Sequence, residues 1–88
     1  MKAKTLEITF RKGRPFAAYL RLGGARERSI RTRELAPSLL VDFDDAGAPL
    51  GLEILAFDQA TISRINEVLV SLGHAALPEL ELAPLRAA

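Results

Sequence analysis

Three carboxylates, Asp42, Asp44 and Asp45, stand within four positions in the stretch VDFDDAGAPLGLEIL, residues 41–55. Two chemistries would use them. A cation site needs several oxygen ligands converging on one point. An EF-hand loop would place them at alternating positions, with a glycine at the sixth and a glutamate at the twelfth. Here Gly47 and Glu53 follow at the wrong spacing. Acid–base work would pair Asp42 with Glu53, both expected on the polar face of neighbouring strands. One of them would then need a pKa raised by burial, which a polar face does not provide. The reading that fits is a hairpin bend. Asp at the first turn position accepts backbone hydrogen bonds, and Gly47 takes the left-handed position that closes the turn. The arginines of the third strand are the expected ion-pair partners of Asp42 and Glu53.

The remaining chemical candidates are sparse. His74 is the only histidine and follows Gly73 at an expected helix end. It has no visible base or co-ligand, and as a cation it would suit the C-terminal end of a helix dipole. Ser29, Ser38, Ser63 and Ser71 lack a nucleophile-elbow context. The glycines of RLGGAR do not form a phosphate loop. The absence of cysteine excludes disulfides, thiolate zinc sites and cysteine nucleophiles. No catalytic residue, cofactor or metal is expected, and the protein is not expected to be an enzyme.

The cations carry more weight. Residues 1–34 hold ten Lys/Arg against three Asp/Glu, a net of +7, and residues 35–88 hold two against eight, a net of −6. Such a split can mark a nucleic-acid face or strands of opposite charge that pair with each other. Arg11, Lys12 and Arg14 fall in one turn. Arg21, Arg26, Arg28, Arg31 and Arg33 fall on the second and third strands. Tyr19, Arg21, Arg31 and Arg33 form the candidate binding face, which could be a solvated or ion-paired face, could meet an acidic protein partner, or could hold nucleic acid with phosphates on arginine and a base stacked on the tyrosine. The sheet edge and the C-terminal arm are the other surfaces a protein partner could meet.

The elements that position these residues follow from hydrophobic period. In TLEITF, Leu6, Ile8 and Phe10 share one face. RKGRP is a turn. FAAYLRL puts Phe16, Ala18, Leu20 and Leu22 on one face and Ala17, Tyr19 and Arg21 on the other. GGA is short enough for a tight hairpin, leading into a polar strand, RERSIRTREL. SLLVDF points Leu39, Val41 and Phe43 inward, and LGLEILA points Leu50, Leu52 and Ile54 inward. Pro49, which cannot donate to a ladder, belongs at a strand start. In QATISRINEVLVSLG, Ile62, Ile65, Val68, Leu69 and Leu72 recur at helical spacing; Asp58 or Thr61 caps the start and Gly73 stops it. The tail HAALPELELAPLRAA reads as a short sixth strand or a loose arm. The expected fold is α+β: a five-stranded antiparallel β-meander with one C-terminal helix packed on one face. The expected organisation is a single domain over residues 1–74 and a tail or arm over 75–88.

The 88 residues fit one core. With 49% hydrophobic and 26% charged residues the chain is too apolar to be disordered. MKAKTLEITF lacks a signal-length apolar run, and no run approaches the roughly 18 apolar residues of a membrane span. The expected location is the cytoplasm, with no membrane contact.

The pattern resembles the uncharacterised prokaryotic family known as domain of unknown function 2283. That family has an Asp-Ala-x-Tyr strand and a Val-x-Val-Asp-x-Asp-x-x-Gly-x-x-x-Gly-x-Glu-Ile-Leu hairpin. Ala17 and Tyr19 match the first. Val41, Asp42, Asp44, Gly47, Gly51, Glu53, Ile54 and Leu55 match the second. The family's Asp before Ala is Phe16 here, and its acidic first turn is the basic RKGRP. The resemblance covers roughly residues 5–57. It implies a compact β-rich domain without an established activity and, from a gene arrangement similar to that of antitoxins, a binding role. Gly51 in mid-strand then has a packing use, since a bare backbone lets a neighbouring chain or helix come close. The functional expectation is a small protein-interaction module, antitoxin-like, with a small toxin-like protein as partner or a second copy in a homodimer. The alternative is a nucleic-acid-binding protein using a basic strand face.

Overall fold

Alternating residues build the first hairpin of the computed structural model, which describes residues 5–23 and 31–86. Strand β1 (Thr5–Arg11) pairs antiparallel with β2 (Arg14–Arg21) across Lys12 and Gly13. Both turn residues have positive φ, 54° and 78°, the backbone of a type I′ turn, whose twist matches that of the strands it joins. A bulge between Thr9 and Phe10 shifts the register near the tip.

Strands β3 (Arg31–Ala36), β4 (Leu39–Phe43) and β5 (Pro49–Ile54) form a second antiparallel unit. The two units join through β2 and β5, giving the order β1-β2-β5-β4-β3. This corrects the expected meander: β2 and β3 are not neighbours in the sheet. Residues 24–30, with Arg26 and Arg28, lie outside the described residues. The physical reason is burial. Ala18 and Leu20 of β2 gain more beside Leu52 and Ile54 of β5 than beside an arginine-rich strand. β3 is exposed along nearly its whole length, and a short charged strand suits a sheet edge.

Register sorts the side chains into rows. Leu6, Leu20, Leu52, Val41 and Arg33 lie side by side on one face, as do Ile8, Ala18, Ile54, Leu39 and Ala36. Helix α1 (Gln59–Ser71) covers this face with Ile62, Ile65, Val68 and Leu69. Asp58 caps it, accepting from the Thr61 N–H at 2.7 Å. That bond holds the Asp58 carboxyl below its usual pKa. At the far end Gly73 has φ +84°. Its N–H reaches the Val70 carbonyl at 3.0 Å, and the His74 N–H reaches the Leu69 carbonyl at 2.9 Å. This is a Schellman stop, and it engages the backbone of His74.

The tail departs from both expectations. Residues Glu79–Arg86 form a second helix, α2, with Leu82 and Leu85 buried and Leu80 exposed. Leu77 is buried with them, and its backbone N–H and carbonyl are both held by the Asn66 amide, at 2.7 and 3.0 Å. The apolar spacing of three between Leu82 and Leu85 prevails over the spacing of two between Leu80 and Leu82, because only the first adds to the core. Pro84 inside α2 leaves the Leu80 carbonyl without its i+4 donor, on a residue that is exposed to solvent. The core is thus a two-layer sandwich of sheet and two helices. No helix among the described residues is long and apolar enough to cross a membrane.

Candidate functional site

Among the described residues, no helix packs on the opposite face of the sheet; α1 and α2 both belong to the core on the first face. The rows of that opposite face are Glu7, Tyr19, Glu53, Leu40 and Glu34, and beside them Thr5, Arg21, Gly51, Asp42 and Thr32. At the crossing of these rows Tyr19 leans from β2 over β5. Its Oη donates to Asp42 Oδ2 on β4 at 3.1 Å. The other carboxylate oxygen of Asp42 accepts from Thr32 Oγ1 on β3 at 2.5 Å. The polar link therefore spans four of the five strands.

Gly51 makes this clasp sterically feasible. It is the β5 residue under the ring. A Cβ there would overlap Oη and Cζ of Tyr19 and come within 2.6 Å of its Cε2. The close approach expected at Gly51 is thus made by a side chain of the same sheet. Burial, then the charge and hydrogen bond of Asp42, push the Tyr19 phenol up from 10.0 to about 12; the Arg21 guanidinium opposes the shift and Glu53 adds to it. Arg21 stands 5.7 Å from the ring centroid and 3.7 Å from Glu7.

A phenol so shifted is protonated at neutral pH. It donates a hydrogen bond and is neither a base nor a nucleophile. Asp42 has a hydroxyl on each oxygen. Its cross-strand partner is Gly51, so Glu53 is only its diagonal neighbour. Glu53 lies between Tyr19 and Leu40. The expected pairing of Asp42 with arginines of the third strand is replaced by pairing with Tyr19 and Thr32.

The three turn carboxylates part company. Asp44 Oδ1 accepts from the N–H groups of Ala46 and Ala48 at 2.9 and 2.8 Å, and Gly47 takes φ +85°. These are the roles the turn chemistry predicts, with Pro49 opening β5. No group of three metal-ligating side chains is drawn together among the described residues.

The candidate binding face is split. Tyr19 and Arg21 lie on the uncovered face. Arg31 and Arg33 are in register with Phe43 and Val41, on the face the helices occupy, and the Arg31 guanidinium stands 5.8 Å from the Phe43 ring centroid. The cause is the parity of β3: Thr32 and Glu34 face one way, so their arginine neighbours face the other. The uncovered face instead carries Glu7, Glu34, Asp42 and Glu53 against Arg21, an acidic balance. Thr32 was not legible as a site residue, because its meeting with Asp42 requires β3 to pair with β4 in this register.

The residues that carry the family resemblance now have physical roles. Val41 and Ile54 are core, Asp44 and Gly47 make the turn, Tyr19, Asp42 and Gly51 make the clasp, and Leu55 is an exposed apolar residue beyond β5. No curated protein and no solved structure matches the chain. One family model does, described as "Protein of unknown function (DUF2283)"; it matches residues 17–57, the span from β2 to just past β5, and over that span this chain resembles that family.

Proposed function

We propose that the protein is a non-catalytic interaction module of the cytoplasm, antitoxin-like, which holds a basic protein partner on the uncovered face of its sheet. One observation carries the reading: among the described residues no layer covers this sheet face, and the Tyr19–Asp42–Thr32 clasp ties its strands together. Its chemistry suits a protein. Leu40, Ala17 and the exposed Leu55 supply apolar contact, while Glu7, Glu34 and Glu53 frame them with negative charge. Charge complementarity at such a rim sets specificity and association rate. The acidic balance also disfavours two copies meeting face to face. The alternative, nucleic acid on a strand face, is weakened because Tyr19 and Arg21 lie across the sheet from Arg31 and Arg33.

The test is capture from an extract of the native host by the tagged protein, in three forms. These are the wild type, a Glu53→Lys/Leu55→Lys variant of the uncovered face, and a Val70→Lys variant of the exposed side of α1. A stoichiometric basic protein held by the first and third forms and lost from the second is the expected result. The same proteins on all three forms, or none on any, would overturn the reading.

A further inference from the structure

Among the described residues, the charges of the β1–β2 tip form no ion pair. Arg11, Lys12 and Arg14 are all exposed. No carboxylate occurs from Ile8 to Gly23. Two phenylalanines stand among these cations. Phe10 is 61% and Phe16 51% exposed, although the period of their strands places both on the apolar side. The Arg11 guanidinium stacks 4.1 Å from the Phe16 ring centroid. The two-residue turn, with Lys12 and Gly13 both at positive φ, fixes the hairpin end that presents these groups.

We infer that this tip binds single-stranded nucleic acid, with bases stacked on Phe10 and Phe16 and phosphates held by Arg11, Lys12 and Arg14. The chemistry of the patch selects the ligand. Exposed rings beside unpaired cations match a polymer that alternates π faces with negative charge. A folded acidic protein would answer the cations but not the exposed rings. A bilayer would ask for more apolar surface than two phenyl groups beside three charges. The site is separate from the uncovered sheet face, so the two can be tested independently.

The experiment is fluorescence anisotropy of a short labelled polyuridine strand with the full chain, repeated over a salt series. Micromolar binding is expected, with a log–log salt slope near −2 from about three phosphate contacts on a single strand. Phe10→Ala and Phe16→Ala should each weaken binding roughly tenfold by removing a stacking ring, with thermal melting unchanged because both rings are exposed. Arg11→Gln/Lys12→Gln/Arg14→Gln should abolish binding. Arg31→Gln/Arg33→Gln should leave it intact. The inference is overturned if the strand does not bind, or if the Phe variants bind like wild type, which would leave only unspecific attraction of charges. Loss of binding in the Arg31/Arg33 variant alone would overturn it too, as would tighter binding to phosphatidylserine vesicles than to polyuridine.

Discussion

On the helix side of the sheet, the row Leu6–Leu20–Leu52–Val41 belongs to the same core as Ile65, Leu69 and Leu85. On the other side, the row Arg21–Gly51–Asp42–Thr32 has no second layer among the described residues, and a phenol laid over a glycine ties its strands together. The first face is held by area removed from water, a force without direction that is lost in proportion to the carbon deleted. The second is held by geometry, so that one misplaced methyl group disturbs the link across four strands. A small domain can therefore leave a face open without leaving it loose.

Breaking the covered face should cost most. Leu85→Ala, at a fully buried position, should lower stability by about 2–5 kcal/mol, measured as a shift in the denaturant midpoint at constant slope. A loss under about 1 kcal/mol would mean that α2 is not part of the core, since buried leucines cost more than that.

Gly51→Ala comes next, at about 1–3 kcal/mol, because the new Cβ must displace the Tyr19 ring. The comparison is sharpened by a double-mutant cycle. In a Tyr19→Ala background the same substitution should cost far less, since the overlap is gone. Additive losses would show that Gly51 answers to something other than the ring.

Tyr19→Phe keeps the ring and removes the donor to Asp42, and should cost about 1–2 kcal/mol in the same unfolding measurement. The chain has one tyrosine and no tryptophan, so tyrosinate absorbance reports this residue alone. In the folded protein its midpoint should lie near 12, against 10.0 for an ordinary phenol. The folded state binds the phenolic proton more tightly, so its contribution to stability is full below pH 10 and disappears as pH climbs toward about 12. Asp42→Asn should bring the midpoint down. An unmoved midpoint would leave burial and Glu53 as the causes.

The smallest effect belongs to the open face itself. Leu55→Ser, 45% exposed in the wild type, should change stability by less than about 0.5 kcal/mol. It is thus a clean probe of partner binding, checked by thermal melting before any binding assay.

Much of this architecture was readable from local pattern. Alternation fixed which side of each strand is apolar, and Asp44, Gly47, Asp58 and Gly73 do what their turn and cap chemistry requires. Strand order was not readable. Period states which way a side chain points but not which strand lies beside it, and β2 chose β5 over the next strand in sequence because the apolar rows matched. That one choice moved Arg31 and Arg33 away from Tyr19 and Arg21, and let Tyr19 reach Asp42. The tail failed for a local reason: ELELAPL fits a strand by Leu80 and Leu82 and a helix by Leu82 and Leu85, and only burial decides.

The strand order also sets a timetable. The β1–β2 hairpin and the β3–β4–β5 meander are each made of neighbours in sequence and can form quickly. Their union needs Ala18 to find Ile54, a distant closure whose entropy must be met before any contact repays it. The hydroxyl of Tyr19 can reach Asp42 only after that union. The clasp is then a late event on the way in and an early one on the way out. Substitutions in it should speed unfolding while leaving the refolding rate nearly unchanged, which makes the open face the timekeeper of how long the protein stays folded.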